Sequence, residues 1–208
     1  MLDIIKKDNA EKPNPMAFVF IGRSGCGKGT QVELFKKVIE NKFGSNILHI
    51  ETGSFFREFL KNNNSYTKDL SKQIIETGGL MPSAMPVVFW VDYLIKNFTG
   101  KENLFFDGCP RKVAEAEMLD GMLKFYSIPN YKVIYINTSK KWCVDRLTAR
   151  GRKDDTVEGI EKRMTWFEKD VMPCIDFFSK DDTCQVIDIN GEQTIEEVHA
   201  EIMKKVLM

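Results

Sequence analysis

Gly22, Gly25, Gly27 and Gly29 crowd around a single lysine, Lys28, in the stretch FIGRSGCGKGTQ (residues 20–31). Glycines let successive backbone N–H groups turn inward, which builds a nest for an anion. A helix opening at the lysine adds its N-terminal dipole, and the ammonium adds a full charge. The apolar run Ala17 to Ile21 precedes the loop, so the order is strand, Gly-x-x-x-x-Gly-Lys, helix. In that context the chemistry is binding of a nucleotide's terminal phosphates, with Gly25, Cys26, Gly27, Lys28, Gly29 and Thr30 as the contacts. Gly29 has no hydroxyl to offer Mg²⁺, so the metal is expected on phosphate oxygens and waters. A second candidate is Asp107, which ends an apolar strand and points out of it, as a ligand of metal-bound water.

The elements that position these residues follow from hydrophobic spacing. Apolar runs at 17–21, 47–50, 104–106, 132–136 and 185–189 read as buried strands, with helical periodicity between them. Alternating strands and helices imply a five-stranded parallel sheet covered by helices on both faces. From Thr52 to Phe98 the pattern is helical in several pieces, too long for one crossover, and reads as an insertion on the core. In its last piece Val87, Val88, Val91, Leu94 and Ile95 are expected to share one face. A helix should run to about Arg150 and another start near Val157, with Asp155 and Glu158 as its capping box. Thr194 and Glu197 form a capping box for the closing helix.

Thirty basic and thirty acidic residues in 208 leave no net charge, which argues against non-specific binding to nucleic acid or membrane. No apolar stretch approaches the ~20 residues that span a bilayer. Five scattered cysteines, odd in number and without a Cys-x-x-Cys pair, fit reduced thiols in a cytoplasm. Small-residue packing is the reading for Cys26 and Cys109, and His49 and His199 take no role. Residues 1–15 read as an N-terminal arm before a single domain over 16–208.

The phosphate loop GCGKGTQ resembles that of adenylate kinases and their nucleoside monophosphate kinase relatives. ETGSFFREFL is similar to the family's Thr-Gly-Asp-x-x-x-Arg segment, which would put Thr52 near the acceptor base and Arg57 on its phosphate. GGLMP (78–82) resembles the stretch lining the base pocket, with Leu80 in it. FFDGCPR (105–111) matches Asp-Gly-(aromatic)-Pro-Arg, which implies Gly108 and Arg111 at the acceptor and Asp107 beside the metal waters. RLTARGRKDD followed by Arg163 resembles the lid and the helix after it. The resemblance thus implies Arg146 and Arg150 on ATP, Arg152 and Arg163 at the acceptor and in catalysis, and Asp154 and Asp155 tying the lid down. It also implies the P-loop nucleoside kinase fold, an acceptor-binding insertion at about 52–98, a lid at about 150–155, Mg²⁺ with ATP, and a monomer.

Three positions depart from the family pattern. Glu115 stands where a glutamine reads adenine; a carboxylate only accepts, and facing N1 it would oppose two acceptors at roughly 1–3 kcal/mol. AMP is the expected acceptor, with GMP first among the alternatives and CMP or UMP after it. Only Gly151 separates Arg150 from Arg152, so the lid is very short, and ATP hydrolysis without acceptor is expected. Ser54 replaces an aspartate and is expected to cap its helix as well. The expected activity is reversible transfer from Mg·ATP to AMP giving two ADP. A nucleotide-binding regulatory protein of the same fold, and a P-loop kinase for a small metabolite, are the rival readings.

Overall fold

The computed structural model describes residues 15–44, 46–152 and 155–207. Most of the N-terminal arm (residues 1–14) and Asp154 of the lid lie outside them. The elements run β1 (Ala17–Gly22), α1 (Lys28–Phe43), β2 (Ile47–Glu51), α2 (Thr52–Asn62), α3 (Tyr66–Glu76), α4 (Ala84–Asn97), β3 (Asn103–Asp107) and α5 (Val113–Phe125). They continue with β4 (Tyr131–Asn137), α6 (Lys140–Arg150), α7 (Val157–Trp166), a π-helical turn (Phe167–Val171), α8 (Met172–Ser179), β5 (Cys184–Asn190) and α9 (Ile195–Leu207). The five strands form one parallel sheet in the order β2-β3-β1-β4-β5.

Continuous apolar strands bury both faces because side chains alternate across the pleat. Val19, Ile21, Leu104 and Phe106 point to one side, where they meet Trp90 and Leu94 of α4 and Leu119 and Leu123 of α5. Phe18, Phe20 and Phe105 point to the other and pack on Phe35 of α1, whose ring centroid is 5.0 Å from that of Phe18. Phe35 is fully buried, and a ring of its size contributes on the order of 3 kcal/mol through burial alone.

Register sets the site. Phe20 of β1 and Glu51 of β2 both pair with Asp107 of β3, so the loop after β1, the acid ending β3 and the start of α2 emerge at one edge of the sheet. This is where the chain switches direction across β1, the usual ligand crevice of a parallel sheet.

Three local expectations are corrected, and one feature is added. On α4 the buried residues are Pro86, Trp90 and Leu94, while Val88 and Ile95 are 61% and 69% exposed. Trp90, the largest of the fully buried side chains, faces the sheet, and that rotation turns positions 88 and 95 away. The N-cap of α7 is Thr156, whose side chain accepts from the Gly159 amide at 3.0 Å, because arginines claim the Asp155 carboxylate. Glu158 pairs with Lys162 instead. Ser54 lies inside α2 and donates to the Glu51 carbonyl at 2.8 Å, so it does not cap. Finally, the helix from Val157 widens at Phe167–Val171, where the Met172 amide reaches back to the Phe167 carbonyl. Pro173 supplies no N–H and would crowd the carbonyl of Lys169, which a regular α-turn cannot accommodate. The capping box at Thr194 and Glu197 forms as expected, with the Glu197 amide on Thr194 Oγ1 at 3.2 Å and Glu197 Oε2 taking the Thr194 amide at 2.9 Å.

Candidate active site

The phosphate loop is shaped at Gly25, where φ is +88° and an added Cβ would fall 2.8 Å from the Cys143 carbonyl oxygen. No L side chain fits there, and the left-handed turn is what bends the backbone over the end of β1. The Cys26 amide closes the turn on the Arg23 carbonyl at 3.1 Å, and the Cys26 side chain is buried in the core. Gly27 precedes α1, and Gly29 and Thr30 lie exposed on its first turn.

Lys28 Nζ stands 3.6 Å from Asp107 Oδ1. Burial works most strongly against the ammonium, but Asp107 and Cys26 together outweigh it and hold the lysine above its ordinary pKa. Arg111 lies close enough to repel Lys28, and Arg163 close enough to repel Arg111. Burial, then that repulsion, lowers the Arg111 pKa despite Glu115 nearby. Lys28 keeps Asp107 and Arg163 keeps Asp155 as counter-charges, so the cost of this crowding falls on the Arg111 guanidinium, where a phosphate would offset it. Arg111 is fixed in place by its Nε on the Gly108 carbonyl at 2.8 Å, and its guanidinium lies 5.4 Å from the Trp166 ring centroid. A narrow cleft connects these groups, lined by Gly22, Ser24, Lys28, Gly108, Arg111 and Trp166 among others. A larger groove of about 740 Å³ runs along α7 on the other side of Trp166, and its lining contains none of Lys28, Asp107, Arg111 or Arg163.

Around the start of α2, Thr52 is 3% exposed and its hydroxyl approaches the Cys109 thiol without forming a hydrogen bond of ordinary geometry. Burial pushes the Cys109 thiol up to about 12. Arg57 is exposed and rests on Glu51, 2.7 Å from its carboxylate. Leu80 is half-buried beside Met81, whose carbonyl accepts from Lys112 at 3.3 Å. Glu115 is buried with Oε2 accepting the Arg111 amide at 2.9 Å, so its carboxylate is engaged at the start of α5.

The lid arginines divide. Asp155, fully buried at its side chain, takes Arg150 through two hydrogen bonds of 2.8 Å, Arg163 at 2.7 Å and the Arg152 amide at 3.0 Å. Burial opposes the charge, but these donors hold the carboxyl down at about 2. Arg146 stands apart, exposed over the Trp142 ring.

Two residues outside the sequence-based set join the site. Trp166 touches Arg111 and donates from its indole N–H to the Gly78 carbonyl at 3.0 Å. Arg23, inside the phosphate loop, lies 4.5 Å from the Phe167 ring centroid and hydrogen-bonds Glu168 and the Thr138 carbonyl. The signal for Arg23 was its charge within a glycine loop; Trp166 carried none.

A phosphate nest at the end of the central strand, an acid ending the next strand and a facing set of arginines define a P-loop phosphotransferase. Comparison with known proteins narrows the class. The sequence model for adenylate kinase matches residues 20–183. The chain is 32% identical over 184 residues to adenylate kinase 1 of Nostoc sp., covering 88% of this chain and 95% of the relative. It is 30% identical to the adenylate kinase of Corynebacterium aurimucosum with the same coverage. It is 29% identical over 223 residues to that of Caldanaerobacter subterraneus, covering 92% and 96%. The chain belongs to the adenylate kinase family and is an ATP-dependent nucleoside monophosphate phosphotransferase. Among the described residues no helix is long and apolar enough to cross a membrane.

Proposed function

We propose that this enzyme moves the γ-phosphoryl group of ATP to AMP, reversibly, giving two ADP. The observation that carries the reading is the cation set itself: Lys28 held 3.6 Å from Asp107, with Arg111 and Arg163 within electrostatic reach of one another. Transfer breaks the bond from the γ-phosphorus to the bridging oxygen and forms one to an AMP phosphate oxygen. The protein's task is to hold two polyanions in line and cancel their repulsion. Lys28 and the loop residues Gly25, Cys26, Gly27, Gly29 and Thr30 bind the donor phosphates, with Arg146 and Arg150 on the ATP side. Arg57, Arg111, Arg152 and Arg163 grip the acceptor phosphate and the group in flight. Thr52, Leu80 and Gly108 border the acceptor. The buried Thr52 hydroxyl, short of a partner, is a polar group that a ligand would satisfy.

Glu115 supports AMP over GMP. Its carboxylate serves the Arg111 amide, so it is not a free acceptor facing a base edge. Mg²⁺ fits as part of the nucleotide substrate. Among the described residues no group of three or more His, Cys, Asp or Glu could hold a metal, and Asp107 Oδ2 lies 4.0 Å from where a Cβ would stand at Gly29, beside the phosphate loop. Asp107 would take a metal-bound water, and the ion when present neutralises charge on the phosphate oxygens. Five free cysteines accord with work in a reducing cytoplasm, and the reading is of a monomer acting on free nucleotides.

The test is competition. Protein with Mg·ATP and equal AMP, GMP, CMP and UMP should form chiefly ADP that depends on AMP, and Lys28→Ala should lower the rate at least about 100-fold. Dominant GDP would move the acceptor to guanylate. No acceptor-dependent diphosphate would leave a nucleotide-binding protein without transfer.

A further inference from the structure

Trp166 ends α7 at the junction of three parts of the molecule. Its ring face meets the Arg111 guanidinium, with 5.4 Å between guanidinium carbon and ring centroid. Its indole N–H donates to the carbonyl of Gly78, between α3 and α4, at 3.0 Å. It also stands between the narrow cleft at Lys28 and the groove along α7, lining both.

The Gly78 contact is reinforced by the backbone. Gly78 adopts φ of +72°, and an added Cβ would fall 2.7 Å from the Gly159 carbonyl oxygen and 2.8 Å from its Cα. Two glycines thus let the α3–α4 connection press against α7, and the indole hydrogen bond pins the Gly78 carbonyl. The guanidinium of Arg111 already has its Nε committed to the Gly108 carbonyl. A ring against its face fixes the remaining freedom, the rotation that aims the outer nitrogens.

We infer that Trp166 is a positioning residue for the acceptor half of the reaction, aiming Arg111 through its ring face and holding the acceptor-binding insertion on α7 through its N–H. The inference rests on the proposed reading of Arg111 as the acceptor-phosphate arginine. Loss of these contacts should therefore weaken AMP and spare ATP, whose loop touches neither the indole N–H nor Gly78.

Steady-state kinetics with each substrate varied tests this on Trp166→Phe, Trp166→Leu and Gly78→Ala. Phenylalanine keeps a ring for Arg111 and loses the N–H, so the KM for AMP should rise about 2–5-fold with kcat nearly unchanged. Leucine loses both contacts and should lower kcat/KM for AMP about 10–30-fold, with the KM for ATP within about twofold of wild type. Gly78→Ala keeps the indole but pushes the connection off α7, and it should also raise the KM for AMP selectively. Equal movement of both KM values, no movement, or a phenylalanine variant no better than leucine would overturn the inference. Arg111→Lys separates the two levels of the argument. An unchanged KM for AMP in that variant would refute the role given to Arg111 itself, whatever Trp166 does.

Discussion

At residue 115 a carboxylate that ordinarily prefers water is 2% exposed, and its Oε2 takes the Arg111 amide at 2.9 Å. Burial raises its pKa, and the Arg111 amide, the Arg111 and Lys112 charges and the Ser83 side chain pull it back only in part. A folded-state pKa above the unfolded value means that the protonated form favours the fold, and that stability is lost as pH rises through the unfolded pKa toward the folded one. Glu115→Gln keeps an acceptor for the Arg111 amide and removes the buried charge. Its melting temperature should therefore equal or exceed that of wild type at pH 8, with the advantage shrinking toward pH 4. Because the carboxylate serves the backbone, the KM for AMP should change less than about threefold. A switch of preference from GMP to AMP in this variant would show Glu115 reading the base after all.

At the scale of elements, Asp155 joins the end of α6 to the body of α7 by accepting from Arg150, Arg163 and the Arg152 amide. Its pKa of about 2 lies below the ordinary carboxyl value, so this contribution is complete above the unfolded pKa and disappears as pH falls from about 5 toward 2. Asp155→Asn should destabilise the fold at pH 7 by about 2 kcal/mol, an amount read from urea unfolding that fades below pH 4. The deficit should be accompanied by slower transfer, since Arg150 and Arg163 lose the anchor that orients them. An unchanged unfolding midpoint at pH 7 would contradict the buried pair. Sequence spacing made some elements readable and others not. The phosphate loop and the Thr194–Glu197 box were legible because their partners lie within a few residues. For Asp155 the capping box failed because its partners include Arg163, eight positions away and presented by a folded helix; the family resemblance, which had it tying down the segment after α6, was the better guide. The face of α4 was set by Trp90, a matter of size rather than period. Trp166 and Arg23 meet Gly78 and Glu168 across the molecule, and no local pattern records such a contact.

Across the whole molecule the two sides of the cleft are unequal. The side proposed for the acceptor is the α2–α4 segment between β2 and β3, with α4 rooted in the core through Trp90 and Leu94. The side proposed for the donor has only positions 151–156 between α6 and α7 to close over the transferring group. Exclusion of water depends on coverage, because a γ-phosphate held in line for an acceptor is equally in line for a water in the acceptor's place. On the proposed reading the arginines of α6 and α7, held by Asp155, supply charge stabilisation where coverage is thin. Mg·ATP without any monophosphate should consequently be hydrolysed at more than ~1% of the transfer rate. Phosphate release measured with and without AMP checks this. The hydrolysis must vanish in Lys28→Ala, which assigns it to the same site. A rate below ~1% would mean that the short connection excludes water as well as a longer lid does, and that Trp166 and the acceptor insertion supply the missing cover.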